Sequence, residues 1–252
     1  MSVIFGIRLN HHRDNILYAS FLVLFLLYHL AEYMIMFKDS ASLFFIFQFM
    51  FFGAALLAGH WYSQNGLKAW GLPISPKPVL FVLLGIMLGV ILYSVPWGLA
   101  IYLDIEKVTD IPSLHIIIKN SLVFAVGVLF TSFSEDILTR GLVYRLLEGK
   151  LRPVYIIFIS ALIYLLNHIY RLNDGLEVLL YLFLLGIVFA IPLINSKNLW
   201  ITGSMHWAGN LFFFISHNLV QTEEMPGIIS YNMLFSIILL IMIPVVWISS
   251  KK

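Results

Sequence analysis

The sequence predicts an all-α, polytopic membrane protein of about eight transmembrane helices. Of its 252 residues, 61% are hydrophobic and only 11% are charged, and the mean hydropathy is +0.94. A soluble domain carries about 25% charged residues, so this composition is typical of a chain that lies in lipid. The apolar residues are gathered in eight stretches, most of them close to the roughly 20 residues that a helix needs to cross a bilayer.

Turn-forming and charged residues, such as RLNDG and QTEEMPG, separate the apolar stretches. The predicted spans cover residues 15–37, 41–60, 79–103, 113–135, 153–171, 176–195, 199–217 and 228–249. No connection between them is long enough for a soluble domain. The first span is longer than the core of a signal peptide and has no cleavage site after it, so we expect it to be retained. We group the chain as N-terminal helices 1–3 (1–112), a core of helices 4–7 (113–217) and a C-terminal helix 8 (218–252).

Lysine and arginine residues predict the orientation, because they accumulate in cytoplasmic loops. With the N-terminus inside, only Lys38, Lys107 and Arg171 fall outside, and Lys119 lies within a span. The inside set is Arg8, Arg13, Lys68, Lys77, Arg140, Arg145, Lys150, Arg152, Lys197, Lys251 and Lys252. We therefore expect both termini in the cytoplasm.

Three of the predicted spans carry polar residues where lipid disfavours them. An ionisable side chain at that depth costs several kcal/mol unless it faces a wet cavity or a partner, so each is a candidate for a functional site. The residues are Glu135, Asp136, Arg140, His168, His206 and Asn210. Their occurrence on the fourth, fifth and seventh spans predicts one buried site.

The register of the fourth and fifth spans brings Glu135 and His168 together. A turn near residues 150–152 joins the spans, with Glu135 about 16 residues before its centre and His168 about 17 after it. At a rise of about 1.5 Å per residue, both lie roughly 25 Å from the turn. We therefore expect the carboxylate and the imidazole to lie within reach of one water molecule.

Asp136 and Arg140 are spaced i, i+4 with the acid first, which is the favoured order for an ion pair on a helix. This pairing leaves Glu135 as the carboxylate without a partner. An unpaired carboxylate in a low-dielectric site is a candidate general base or acid. A charge network at the end of a helix is the alternative interpretation, and the sequence leaves both open.

His206 and Asn210 share a face of the seventh span at spacing i, i+4. Both donate hydrogen bonds without a fixed negative charge, so they suit stabilisation of an oxyanion. Hydrogen bonding between helices is the alternative for these residues and for His168. In the first span, His29 and Glu32 are interpreted as a pair that satisfies itself and packs.

The residue types favour hydrolysis of a peptide bond by an activated water. The chain has no cysteine and neither a GxSxG nor an HExxH motif, which excludes a cysteine nucleophile and disfavours these serine and zinc sites. A water activated by Glu135 with His168, and an oxyanion stabilised by His206 and Asn210, fit the set. Two histidines and one glutamate could instead hold zinc, and the residues leave this open.

Three short motifs follow one another on the fourth, fifth and seventh spans: SEDILTR, YLLNH and HWAGN. They resemble the EExxxR, FxxxH and HxxxN elements of the CAAX protease and bacteriocin-processing (CPBP, or Abi) family of intramembrane proteases. The resemblance covers about residues 113–217, which makes helices 4–7 a CPBP/Abi-like core.

The resemblance implies a glutamate-dependent endopeptidase. It implies that Glu135 is the catalytic glutamate, that His168 helps to activate water, and that His206 and Asn210 act on the oxyanion side. Arg140 matches the structural arginine.

Two residues depart from these motifs. Asp136 stands in place of the second glutamate, and its spacing predicts that it still meets Arg140, so we expect activity to survive. Tyr164 stands in place of the phenylalanine and adds a hydroxyl that needs a partner or water when it is buried.

We therefore expect a multi-pass peptide hydrolase of the cell membrane that acts on a small peptide or a membrane-associated protein. We expect no cofactor, with zinc possible but not favoured, and a net charge of +2 predicts no nucleic-acid partner. One alternative is a catalytically silent scaffold that regulates a partner such as a sensor kinase. Another is a small-solute or ion transporter, which the lack of visible inverted repeats disfavours.

Overall fold

The computed structural model describes residues 3–4, 7–8, 11–73, 78–227 and 229–251. It has the all-α membrane fold that the sequence predicts. Its helices are α1 (His11–Lys38), α2 (Ala41–Ser63), α3 (Pro78–Tyr102), α4 (Leu114–Asp136), α5 (Leu142–Leu147), α6 (Pro153–Asn167), α7 (Leu176–Ser196), α8 (Leu199–Phe213) and α9 (Tyr231–Ser249). Lys77 and Lys252, which contribute to the predicted charge bias, and Ile228, the predicted start of the last span, lie outside the described residues.

Each of the eight predicted spans corresponds to a helix. In the part of the chain that the structure describes, six helical stretches are long and apolar enough to cross a membrane: α1, α2, α3, the stretch Leu114–Leu147, α7 and α9. The other two, α6 and α8, have 15 residues each. α6 ends at Asn167, four residues before the predicted boundary, and α8 continues as a π-helix over Phe214–Leu219.

The fourth span is one helical stretch with a wider turn inside it. A π-helix over Ile137–Gly141 joins α4 to α5. A π turn accommodates an extra residue in the helix and is common at functional sites. It lies directly after Glu135 and Asp136 and contains Arg140, so it sets the direction of the charged side chains.

α8 lies against α3, α4 and α7. Small residues allow the close contact with α3, since a Cβ on Gly89 would lie 3.1 Å from the backbone nitrogen of Gly209. In a bilayer, such small residues let two helices gain van der Waals contact along their backbones. The packing places His206 of α8 between α4 and α7.

Short strands and polar links define two faces of the bundle. On the first, which we call the termini face, Lys150 pairs with Asp14 at 2.8 Å, and Asn195 donates to the carbonyl of Trp247 at 2.9 Å. These links join the α5–α6 connection to the start of α1, and the end of α7 to the end of α9.

The opposite face, which we call the β3–β4 face, carries an antiparallel ribbon. β3 (Glu106–Asp110) pairs with β4 (Gln221–Glu224), which joins the α3–α4 and α8–α9 connections. Phe37, at the end of α1, packs on Tyr170 in the α6–α7 connection with ring centroids 5.1 Å apart. Apart from this face, a second antiparallel ribbon precedes α1 in the chain and consists of β1 (Val3–Ile4) and β2 (Ile7–Arg8).

Candidate active site

A cavity of about 240 Å³ lies among the helices and contains four of the residues that the sequence singles out. Glu135, His168, His206 and Asn210 all line it. Aromatic side chains from several helices form much of the remaining wall; they include Tyr28, Tyr93, Tyr164 and Phe235. The structure therefore brings the polar residues of the fourth, fifth and seventh spans to one site.

Asp136 and Arg140 form the predicted ion pair, and both side chains are completely buried. The guanidinium group lies over the ring of Tyr164 at 4.4 Å and over that of Phe189 at 5.1 Å. Such cation–π contacts stabilise a desolvated guanidinium. Neither charged residue of the pair lines the cavity, so the pair forms a layer behind Glu135.

Glu135 is held at the floor of the cavity between two imidazoles. Its Oε1 lies 3.7 Å from Nδ1 of His168, and its Oε2 lies 3.6 Å from Nε2 of His206. The amide of Asn167 donates a hydrogen bond to Oε1 at 2.9 Å. Glu135 therefore has polar partners on both sides, and His206 also connects it to the Asp136–Arg140 pair.

The end of α6 determines which nitrogen of His168 carries a proton. The helix stops at Asn167, and the backbone N–H of His168 donates to Leu165 instead of Tyr164. Nδ1 of His168 lies 2.8 Å from the carbonyl oxygen of Tyr164. Since a carbonyl oxygen only accepts hydrogen bonds, Nδ1 carries the hydrogen, and Nε2 is the basic atom of the neutral ring.

His206 contacts both acidic residues. Its Nδ1 lies 3.3 Å from Oδ1 of Asp136, while Nε2 faces Glu135. Asp136 therefore orients this ring in the way that a carboxylate orients a catalytic imidazole. Asn210 lies one helical turn further along α8 and lines the same cavity.

Hydrogen bonds of the π turn attach α6 to the site. The Thr139 hydroxyl donates to the carbonyl of Glu135 at 2.8 Å, and the Ser160 hydroxyl donates to the carbonyl of Thr139 at 2.8 Å. All three residues are buried. This chain of bonds fixes the height of α6 relative to Glu135 and hence the position of His168.

Several residues that line the cavity or contact Glu135 were not identified from the sequence. Asn167 has the most direct contact, because it donates a hydrogen bond to Glu135. Its position next to His168 in the sequence could have identified it as a candidate site residue. Tyr28 and Tyr93 line the cavity from α1 and α3, and nothing distinguishes them among the 12 tyrosines of the chain. The predicted pair of His29 with Glu32 is present at 3.0 Å, but Glu32 also lines the cavity near its mouth.

A second cavity of about 400 Å³ adjoins the first. Glu32 and Thr131 line both, and the rest of its wall is apolar, with Phe44 and Phe124 among its side chains. Within the described ranges, no group of three or more His, Cys, Asp or Glu side chains is arranged to hold a metal ion.

Comparison with known protein families gives a match to one part of the chain. Residues 117–212 match the family model described as Type II CAAX prenyl endopeptidase Rce1-like. The matched segment begins in α4 and ends in α8, and it includes the six polar residues that the sequence singles out: Glu135, Asp136, Arg140, His168, His206 and Asn210. No curated protein matches the chain at a significant level. Residues 117–212 are therefore similar to the CAAX protease (CPBP) family.

Proposed function

We propose that this protein is an intramembrane endopeptidase in which Glu135 activates a water molecule to hydrolyse a peptide bond. The substrate is a small peptide or a membrane-associated protein. The family match supports peptide hydrolysis in general. The observation that carries the specific mechanism is the position of Glu135, at the floor of the cavity between two imidazoles and bonded by Asn167.

In the proposed reaction, Glu135 accepts a proton from water as the water oxygen attacks the peptide carbonyl carbon. His206 and Asn210 stabilise the oxyanion that forms, and His168 supports the proton transfer through Nε2. The proton on Glu135 then passes to the leaving nitrogen, the C–N bond breaks, and a carboxylic acid, which retains the second proton of the water, and an amine are released. General-base catalysis of this kind contributes about 10²- to 10⁴-fold to a rate.

We propose a mechanism without a metal ion. A zinc ligand must offer a lone pair, and the His168 nitrogen nearest to Glu135 is the one that carries a hydrogen. Both ring nitrogens of His206 face carboxylates. This arrangement favours shared protons over metal ligation.

The proposal can be tested without a known substrate. Cell membranes that lack the protein are incubated with the purified protein or with its Glu135→Gln variant, and new peptide N-termini are identified by mass spectrometry. Glu223→Gln makes the same chemical change on the exposed strand β4 and serves as the matched control. We expect new N-termini with the wild type and the control only. If the Glu135→Gln sample contains the same new N-termini, the catalytic role of Glu135 is wrong.

A further inference from the structure

We propose that the peptide enters the catalytic cavity from the β3–β4 face, and that this face is extracytoplasmic. The substrate is then an exported peptide or the extracytoplasmic segment of a membrane protein. The inference rests on the proposed function in one respect, namely that the molecule entering the cavity is a peptide substrate. The direction of access is a property of the cavity itself.

The exposure of the polar side chains increases toward the β3–β4 face. Arg140 is 0% exposed, Glu135 5%, His168 17% and Arg171 42%. Arg171 lies in the α6–α7 connection and donates to the hydroxyl of Tyr181 at 2.7 Å. The cavity therefore leads from Glu135, past His168, to the surface beside Arg171.

The other side chains at the mouth come from helix ends that meet at the same face. Glu32 lies about one and a half turns before the end of α1, Tyr181 is in the second turn of α7, and Phe235 is in the second turn of α9. Phe37, on the last turn of α1, packs on Tyr170 beside Arg171. These contacts place the mouth on the β3–β4 face.

The termini face is closed beneath the site. A 3₁₀-helix over Gly66–Trp70 lies there, and the Trp70 side chain is buried and donates to the carbonyl of Ala55 at 2.8 Å. The segment packs on the π turn, since a Cβ on Gly141 would lie 2.9 Å from the carbonyl oxygen of Trp70.

Backbone and side-chain bonds hold this closure. The N–H of Leu199 donates to the carbonyl of Gly71 at 2.7 Å, and the guanidinium of Arg145 donates to the carbonyl of Ala69 at 2.5 Å. The indole of Trp200 donates to the carbonyl of Pro73 at 3.0 Å. The α2–α3 connection is thus joined to both α5 and α8 across the termini side of the cavity.

The distribution of charge assigns the two faces to compartments. Basic residues on the termini face include Lys68, Arg145, Lys150, Arg152, Lys197 and Lys251. The β3–β4 face carries Lys38, Lys107 and Arg171 among the acidic residues of β3 and β4. Since cytoplasmic loops are enriched in Lys and Arg, the closed face is cytoplasmic and the mouth is extracytoplasmic.

The natural chain has no cysteine, so single-cysteine variants report accessibility without background. Thr131→Cys reports the cavity, Asn173→Cys the loop at the mouth, and Ser249→Cys the termini face. A charged, membrane-impermeant methanethiosulfonate is applied to intact cells and to permeabilised cells. We expect labelling of the first two variants in intact cells, and labelling of Ser249→Cys only after permeabilisation.

Two outcomes would overturn the inference. Labelling of Thr131→Cys only after permeabilisation would place the entrance in the cytoplasm. Labelling of Thr131→Cys only by an uncharged, lipid-soluble maleimide would place it in the bilayer, by way of the apolar cavity that shares Glu32 and Thr131. Because labelling needs no catalysis, the same series in the Glu135→Gln background separates failure of this inference from failure of the proposed function.

Discussion

The amide of Asn167 donates a hydrogen bond to Glu135 at 2.9 Å, and both side chains are buried. This bond joins the last residue of α6 to the carboxylate on α4. Oε1 of Glu135 accepts this hydrogen bond from α6, while Oε2 faces His206 of α8. Asn167 is therefore a positioning residue for the proposed base.

Replacement of Asn167 by Ala should lower kcat about 10- to 100-fold with little change in KM. A hydrogen bond to a charged group contributes about 1.5–3 kcal/mol, and its loss leaves Glu135 free to leave the reactive orientation. The measurement is steady-state cleavage of a peptide identified in the N-terminus experiment. Asn173→Ala changes an exposed asparagine of the α6–α7 connection and should have no effect. A change confined to KM would show that Asn167 contacts the substrate instead.

Replacement of Asp136 by Asn should destabilise the fold. Arg140 would keep its charge in a completely buried position without its partner, which costs about 3–5 kcal/mol. The measurement is thermal unfolding in detergent. Asp174→Asn removes the partner of the more exposed Arg171 and should cost at most about 1 kcal/mol. Equal effects of the two substitutions would contradict the structural role of the buried pair.

Tyr164→Phe should retain stability and activity, whereas Tyr164→Ala should reduce both. The phenylalanine keeps the ring that lies over Arg140, and the alanine removes it and opens a cavity in the core. Loss of a buried aromatic side chain costs about 3–5 kcal/mol. Unfolding temperatures and cleavage rates of both variants check this. Inactivity of a stable Tyr164→Phe variant would assign a chemical role to the hydroxyl.

Chelation of metal ions should leave the cleavage rate unchanged. The proposed reaction needs only the carboxylate, the imidazoles and the amide, and Nδ1 of His168 is committed to the carbonyl of Tyr164. The rate is measured before and after dialysis against 1,10-phenanthroline. Loss of activity that zinc restores would contradict the metal-free mechanism.

Much of the fold was accessible from the sequence because hydrophobic length determines which segments cross a membrane. The Asp136–Arg140 pair followed from helix periodicity, and the proximity of Glu135 to His168 followed from a short turn between two helices. The first feature depends only on residue spacing within one helix, and the second depends only on the register of two helices joined by a short turn. The match of residues 117–212 to the Rce1-like family model agrees with the three motifs.

The remaining features depend on contacts between distant segments. The end of α6 at Asn167 and the π turn after Asp136 are set by packing and by bonds such as that of Ser160 with Thr139. The burial of Trp70 beneath the site could not be predicted, because it depends on how the α2–α3 connection folds. In a chain that is 61% hydrophobic, the residue pattern does not distinguish an aromatic wall of a cavity from lipid-facing aromatic residues.

The most direct measurement of the central claim is the single-turnover cleavage rate of the Glu135→Gln variant. The substitution keeps the shape of the side chain and the contact with Asn167 but removes the base. We predict a rate about 10²- to 10⁴-fold below that of the wild type, with unchanged thermal unfolding and with the Glu223→Gln control at the wild-type rate. A folded Glu135→Gln protein that cleaves at the wild-type rate would contradict the account.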